Sequence, residues 1–184
     1  MPIIEKIEKI TIVEPSKKLR SKKVGNIIPR YIDPLPSGEI KLKDNSISLI
    51  TCFGVLHHIP NVSKIISEFT RVLERGGYLL IREPIVSMGD WRKKRRGLTS
   101  RERGIPEKIM LKIVKNNNFK IISKRKIMFP LTSRLRERFN RREKALIPID
   151  FYLSKLFSWN NKYHSNKFYH KIKPSSVFYV LKKK

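Results

Sequence analysis

The residues best suited to chemistry are two adjacent histidines, His57 and His58, which follow an apolar run of the chain. Histidine gains and loses a proton near neutral pH, so either ring could take the proton of a hydroxyl or amine that is being modified. In the alternative, one ring packs or bonds to the backbone while the other faces water. The elements that flank the pair therefore decide what it can do.

The pair lies between a predicted strand and a predicted helix. Residues 47–53 are nearly continuous apolar or small sequence, typical of a strand covered on both faces. Asn61 can cap a helix whose apolar residues recur every three or four positions, with Glu68 on the opposite, polar face. The diglycine at 76–77 should end this helix, and residues 78–81 should form the next strand. This order predicts the right-handed crossover of a parallel sheet.

Further strands and helices alternate along the chain. We predict strands at 11–13, 26–31, 119–129 and 176–181, a basic helical patch at 17–23, and helices at 105–117, 134–144 and 150–157, with Ile109 facing inward in the first of these three helices. Alternation of this kind predicts an α/β layered domain. Such domains bind ligands at the carboxyl ends of their strands, where this sequence places Glu14, Asp33, the histidine pair and Glu83.

Three segments together resemble one enzyme family. Residues 44–50 (DNSISLI), 56–59 (LHHI) and 71–77 (RVLERGG) resemble the class I S-adenosylmethionine-dependent methyltransferases, especially the type 11 group. The resemblance extends over about residues 10–81. It implies a Rossmann-like sheet that is mostly parallel with a C-terminal antiparallel strand. It also implies a single partial domain over residues 1–184, with a basic insertion at about 85–104 and a helical insertion at about 131–173.

The resemblance also implies S-adenosylmethionine as the cofactor and an oxygen or nitrogen atom as the methyl acceptor. Glu14 matches the acid that accepts both ribose hydroxyls, and Asp33 matches the acid near the adenine amino group. Phe53 and Gly54 lie where the family binds the methionine part, although Ser48 departs from the aspartate that commonly opens this strand. His57 is the candidate base. The candidate acceptor-binding residues are His58, Glu83, Asp90, Trp91 and Arg92, and no residue is assigned to a metal.

One signature of the family is missing from the sequence. The family holds its cofactor with a glycine-rich turn after a strand, where backbone amides contact the ligand. The eight glycines, at positions 25, 38, 54, 76, 77, 89, 97 and 104, form no Gly-x-Gly. We therefore expect an N-terminally truncated domain, either a fragment, a remnant or a chain whose missing strand a partner supplies. We also expect the isolated chain to bind the cofactor weakly or not at all, and to be weakly active or inactive.

The charge of the chain suggests a competing function. Its 184 residues carry 42 Lys and Arg against 15 Asp and Glu, a formal net charge of +27; much of the lysine is scattered, and two segments, 92–96 and 134–144, are locally rich in basic residues. Such charge attracts polyanions, although solvated lysine-rich faces are the alternative. A small molecule, a glycan and a nucleic acid all stay open as the acceptor. The second hypothesis is a catalytically inactive methyltransferase-fold remnant that acts as a basic nucleic-acid-binding or assembly module.

Cysteine use and hydropathy bear on the compartment. The single cysteine, Cys52, can form no intrachain disulfide or cysteine metal cluster, and it is expected to be a small buried residue within its strand. No apolar stretch reaches the roughly 20 residues that a membrane helix requires, and the first residues lack the apolar centre of a secretory signal. These features predict a soluble, cytoplasmic protein.

Overall fold

In a computed structural model of the protein, residues 3–90, 92–138 and 143–184 are described. The chain divides between Lys43 and Asp44 into two compact units. The single domain expected from the sequence, with its insertions at 85–104 and 131–173, stays a prediction.

The first unit contains a two-stranded parallel sheet. Strand β1 (Thr11–Val13) pairs with β2 (Arg30–Ile32), and Val13 lies opposite Ile32. The predicted strand at 11–13 is confirmed, whereas the second strand begins four residues later than predicted. The predicted basic helix at 17–23 is only a 3₁₀ turn at Lys17–Leu19. Because the two strands run in the same direction, the acids that follow them leave the sheet at the same edge.

The second unit contains a four-stranded sheet in the order β3-β4-β6-β5. Strands β3 (Ile47–Phe53) and β4 (Leu73–Pro84) are parallel, and β6 (Ser176–Lys183) is antiparallel to both of its neighbours, β4 and β5 (Phe119–Ile127). Helix α1 (Val62–Val72) connects β3 to β4, and α2 (Glu107–Asn116) precedes β5. Helices α3 (Pro130–Arg138) and α4 (Glu143–Leu156) lie between β5 and β6. The predicted α/β fold, mostly parallel with a C-terminal antiparallel strand, is confirmed.

The core of this unit lies on one face of β4 and β6. Alternate residues of β4 point to this face, so Leu79 and Ile81 are fully buried opposite Leu181 and Tyr179. The same alternation brings Glu83, 1% exposed, into the core at the carboxyl end of β4. Helices α1 and α2 add their own apolar residues, among them Ile66, Met110 and Val114. The strand period therefore forces a carboxylate into a position from which water is excluded.

The crossover predicted around the histidines is confirmed, but its helix ends earlier than the diglycine. Asn61 caps α1 by accepting a hydrogen bond from the Lys64 amide at 3.1 Å. Helix α1 ends at Val72, and residues 74–77 form an irregular segment of β4 opposite a single β3 residue, Ser48. A Cβ on Gly77 would lie 3.0 Å from the Ser48 carbonyl oxygen. The diglycine therefore allows close strand pairing and does not end the helix.

Three predicted exposures are wrong. Glu68 is buried within α1, where it forms ion pairs with Lys64 and Arg71. Ile109, predicted to face inward, is 53% exposed because Met110 and Val114 take the buried side of α2. Strand β3 is not covered on both faces, because Leu49 and Phe53 are partly exposed. Among the described strands it is also an edge strand of its sheet. A partner chain that extends this edge stays a prediction.

Hydropathy of the helices agrees with the sequence. Of the helices in the described part of the chain, none has the length and apolar character that crossing a membrane requires.

An ion-pair cluster at the start of α2 links this helix to β5. The carboxylate of Glu107 lies 2.7 Å from Lys124 Nζ and 3.2 Å from Lys126 Nζ. Burial alone would raise the pKa of Glu107, but the hydrogen bonds from the two lysines outweigh it and the pKa is lowered. Because the pKa of Glu107 is lower in the folded state than in the unfolded chain, its ion pairs with the lysines stabilise the fold at pH values above the unfolded pKa. This stability is lost as the pH falls through the folded pKa.

We expect Glu107→Gln to lower the free energy of unfolding by about 1 kcal/mol at pH 7, because the pair is partly screened by solvent. The difference from the wild type should vanish as the pH falls through the lowered pKa of Glu107. Urea unfolding at several pH values measures both quantities. The control is Glu74→Gln, at an exposed carboxylate of the same unit. A destabilisation that is as large at pH 2 as at pH 7 would contradict this role.

Candidate functional site

A buried carboxylate holds the histidine turn against the end of β4. Glu83 Oε1 accepts hydrogen bonds from the Val55 amide at 2.9 Å and the Leu56 amide at 2.8 Å. Its Oε2 accepts from the His57 amide at 3.3 Å. The three amides begin the 3₁₀ turn Leu56–His58, which follows β3. Their hydrogen bonds compensate for the removal of the carboxylate from water.

The same carboxylate orients the ring of His57. Glu83 Oε2 lies 2.7 Å from His57 Nδ1, and the His57 residue is 8% exposed. An ionised carboxylate only accepts hydrogen bonds, so the tautomer that fits this contact has its proton on Nδ1 and its lone pair on Nε2. In the alternative raised for the pair, one ring packs or bonds to the backbone; the His57 ring is packed, but its Nδ1 bonds to a carboxylate side chain. The opposite nitrogen stays suited to accept a proton or bind a cation.

The chain after β4 returns to the turn and adds a second carboxylate. Glu102 Oε1 lies 3.7 Å from His57 Nε2, and Glu102 Oε2 lies 3.7 Å from His58 Nδ1. The next residue fixes this approach, because the Arg103 amide donates to the His57 carbonyl oxygen at 3.1 Å. Thr99 orients Glu102 by donating its amide proton to Oε2 at 3.0 Å. The two histidines and Glu102 therefore converge from separate segments.

Close backbone packing holds this returning segment. A Cβ on Gly104 would lie 2.0 Å from the Val86 carbonyl oxygen, so only glycine fits there without displacement of the main chain. The Ile105 amide donates to the Pro84 carbonyl oxygen at 2.8 Å, and Tyr163 Oη donates to the Gly104 carbonyl oxygen at 2.7 Å. These contacts hold the last residues of the segment against Pro84, which ends β4, and against Val86 and Tyr163.

The pKa values of two groups at the site, Glu102 and Cys52, are shifted in opposite directions. Burial would raise the pKa of Glu102, but the Thr99 amide and the two histidines outweigh it, and the pKa is lowered. In contrast, burial and the nearby Glu83 charge raise the pKa of the Cys52 thiol to about 12. Cys52 is thus a buried neutral thiol, as expected from its place in the strand.

The predicted methionine-side residues lie at the end of β3. Gly54 has φ +70°, a conformation that glycine adopts readily, and its amide donates to the Arg82 carbonyl oxygen at 2.7 Å. Phe53 is 45% exposed, and its ring centroid lies 5.7 Å from that of Phe178. Both residues adjoin the histidine turn, and their contact with a cofactor stays a prediction.

Two of the other predicted acceptor residues, Asp90 and Arg92, lie on the segment after β4. The carboxylate of Asp90 pairs with Arg92, with Nε and Oδ1 2.9 Å apart. Arg95 bonds to the carbonyl oxygens of Met88 and Thr99, so part of the basic segment has a structural role. Trp91 lies outside the described residues. The role of this segment toward an acceptor stays a prediction.

Glu14 and Asp33 lie in the first unit, at the carboxyl ends of β1 and β2. Glu14 Oε1 accepts from the Ser16 amide at 2.7 Å. Arg20 joins the two strand ends, because it donates to the Glu14 carbonyl oxygen at 2.7 Å and forms an ion pair with Asp33. An adenine contact by Asp33 would therefore share that carboxylate with Arg20. The roles assigned to both acids stay predictions.

Glu102 was missed as a site residue. Thr99 and Glu102 have the spacing of a capping box, and the Thr99 amide does bond to Glu102, but no helix begins there. The sequence near Glu102 shows three features: the capping-box spacing from Thr99, the flanking Arg101 and Arg103, and the glycine at 104. None of them indicates contact with the histidines, because that contact depends on the return of the chain to the turn.

Comparisons with known proteins agree with the predicted family. Residues 5–81 match a family model described as a methyltransferase domain. A methyltransferase dependent on S-adenosylmethionine, from Mesorhizobium loti, has a similar structure, with a TM-score of 0.58 and 12% identity over 95% of this chain and 80% of that one. No curated protein matches the sequence. The match to a methyltransferase domain over residues 5–81 agrees with the resemblance, and the structural likeness shows the same fold.

Two further structural matches show how widely this fold is used. A phosphoethanolamine N-methyltransferase from Haemonchus contortus, in complex with S-adenosylhomocysteine, has a TM-score of 0.51 and 18% identity, over 88% of this chain and 39% of that one. The [4+2]-cyclase SpnF has a TM-score of 0.50 and 14% identity, over 86% of this chain and 56% of that one. At such identities the likeness shows the fold alone.

We expect Glu83→Gln to lower the free energy of unfolding by about 2 to 3 kcal/mol, because the amide group leaves at least one of the buried donors without an acceptor. Chemical denaturation measures the change. Glu74→Gln, at an exposed position of the same strand, is the matched control and should change stability by less than about 0.5 kcal/mol. Equal stability of Glu83→Gln and the wild type would show that the carboxylate does not hold the turn.

Proposed function

We propose that this protein, which has the fold of the class I S-adenosylmethionine-dependent methyltransferases, transfers the methyl group of S-adenosylmethionine to an oxygen or nitrogen atom of an acceptor. The observation that carries the proposal is the turn 55–58, which Glu83 fixes at the carboxyl ends of two parallel strands. Ligands of open α/β sheets bind at this edge. The family match over residues 5–81 includes the strand, the turn and the crossover helix.

The reaction needs alignment more than it needs a base. A lone pair of the acceptor attacks the methyl carbon of the sulfonium, the carbon–sulfur bond breaks, and S-adenosylhomocysteine leaves. Holding the two reactants in line supplies much of the rate, because it removes the entropic cost of their encounter. The acceptor proton passes to His57 Nε2, because the Glu83 contact at Nδ1 leaves the lone pair on Nε2 free to accept it.

We assign the cofactor and the acceptor as the resemblance implies. Glu14 and Asp33 contact the nucleoside, and Phe53 and Gly54 contact the methionine part. Around the acceptor we place His58, Glu83, Asp90, Trp91 and Arg92, with Glu83 acting through His57 and the turn. The basic segment at 92–96 favours an acceptor that carries negative charge, and its exposed cations include Lys93, Lys94 and Arg96.

The second hypothesis, an inactive remnant that binds nucleic acid, draws on the net charge of +27 alone. The family match does not favour it. A polyanion can still be the acceptor, since salt-dependent attraction and methyl transfer do not exclude one another.

Cofactor binding is the first test of the proposal. Calorimetric titration of the whole chain with S-adenosylmethionine and S-adenosylhomocysteine should show only weak binding at one site, because this sequence lacks the glycine-rich turn, and Glu14→Ala should weaken it further by roughly ten-fold, because a ribose contact through a charged acceptor is lost. Glu8→Ala, at an exposed acid of the same unit, is the matched control. Micromolar binding would contradict the expected weakening by the missing glycine-rich turn, and no binding even at millimolar ligand would contradict the proposed methyl transfer by this chain.

Turnover tests the role of His57. With small-molecule, glycan and nucleic-acid acceptors, we expect slow formation of S-adenosylhomocysteine, because the missing glycine-rich turn weakens activity, and His57→Asn should lower this kcat by about 10² or more, with little change in the KM of the cofactor. His164→Asn, at an exposed histidine, should leave kcat unchanged. An active His57→Asn variant with wild-type kcat would show that alignment alone drives the reaction.

A further inference from the structure

The two histidines and Glu102 surround a gap that direct contacts between them do not fill. Both nitrogen–oxygen distances to Glu102 are 3.7 Å, which is too long for a hydrogen bond. The two imidazole ring centroids are 4.0 Å apart. Polar atoms that converge without bonding to each other leave space for a ligand that bonds to all of them.

The spacing of these atoms suits a metal ion. One ligand atom from each of His57, His58 and Glu102 lies within 4.8 Å of the other two. Atoms bound to the same zinc ion at about 2.1 Å lie at most about 4.2 Å apart. A small inward movement of the ligand atoms closes the remaining difference between these distances. The His58 side chain, 39% exposed, has room for this movement.

We propose that His57, His58 and Glu102 form a binding site for one divalent transition-metal ion, with zinc as the ion that fits best. Two imidazoles and one carboxylate are a ligand set for such ions, and they leave coordination positions open for water or a substrate oxygen. His57 binds through Nε2, His58 through Nδ1 and Glu102 through its carboxylate. Thr99 Oγ1, now 3.3 Å from His58 Nδ1, gives up this contact when the ion binds.

Glu83 is the positioning residue of this site. Metal-binding histidines commonly donate their other ring proton to a carboxylate, which fixes the ring and strengthens the metal bond. The 2.7 Å contact between Glu83 Oε2 and His57 Nδ1 has this geometry. An oriented lone pair on a side chain that is 9% exposed distinguishes His57 from a surface histidine.

Local charge favours a cation despite the basic composition of the chain. Glu83 and Glu102 bring two carboxylates to the site, against a net charge of +27 for the whole chain. The nearby Arg103 does not compete for Glu102, since its guanidinium contacts the carbonyl oxygens of Arg101 and Pro60. Solvent reaches the site beside His58, so an ion can enter without unfolding of the turn.

The proposed metal site and the proposed methyl transfer use the same nitrogen of His57, but the two proposals can be tested separately. An ion at the site uses the His57 lone pair that would otherwise accept the acceptor proton, so each ion-bound chain has lost its proposed base. An acceptor hydroxyl bound at an open position of the ion would instead lose its proton more readily. Binding of zinc can be measured without cofactor or acceptor, so its failure leaves the methyltransferase proposal untouched.

The test is a titration of the chelator-treated whole protein with Zn²⁺, by calorimetry and by competition with a chromophoric chelator. We expect one tight equivalent per chain. Glu102→Gln and His58→Ala should each weaken binding at least about 30-fold, and Glu83→Gln should weaken it about 10-fold or more through loss of ring orientation. His164→Ala, at a histidine outside the cluster, should bind as the wild type does. Circular dichroism checks that each variant is folded.

Cobalt gives a second, spectroscopic measurement. Co²⁺ in the same site should produce visible absorption bands with nitrogen and oxygen ligation, and the bands should be lost in folded Glu102→Gln. The proposal is overturned if the wild type binds no Zn²⁺ at micromolar concentration. It is also overturned if His58→Ala and Glu102→Gln both bind as tightly as the wild type, because the ion would then lie elsewhere.

Discussion

The structure around the histidines depends on one buried carboxylate. Glu83 reaches the core because every second residue of β4 does, and removal of a carboxylate from water costs several kcal/mol unless hydrogen bonds replace the lost hydration. The amides of residues 55–57 and the His57 ring supply those bonds. The cost of burial thus fixes the turn, because Glu83 is satisfied only when the turn adopts this conformation.

The end of β4 also fixes the segment that opposes the turn. Pro84 and Val86 contact residues 104–105 through a backbone hydrogen bond and a close approach that excludes a side chain at Gly104. Glu102 precedes this anchor and is carried to the two histidines. Two segments distant in sequence therefore meet because each is attached to the same strand end. Such an arrangement positions side chains more rigidly than a free loop would, which is what alignment of a reaction or coordination of an ion requires.

Local sequence was sufficient where an element is determined by its own residues. The strand Ile47–Phe53 and the Asn61 cap were predicted from apolar continuity and a side-chain acceptor, and both are confirmed. The predictions failed where contacts between different segments of the chain determine the structure. The diglycine serves strand pairing opposite Ser48, and Glu68 is buried because Lys64 and Arg71 neutralise it. The contact of Glu102 with the histidines has the same origin, since no local pattern encodes the return of a chain segment.

The most direct measurement of this arrangement is the tautomer of His57, read from the ¹⁵N chemical shifts of its ring in long-range ¹H–¹⁵N NMR spectra of the metal-free protein. We expect a single neutral tautomer with the proton on Nδ1, slowed in its exchange with water by the bond to Glu83. His164, which is exposed, should show the averaged shifts of a ring that exchanges freely. A proton on Nε2 of His57, or averaged shifts like those of His164, would contradict the claim that Glu83 orients the ring and holds the turn.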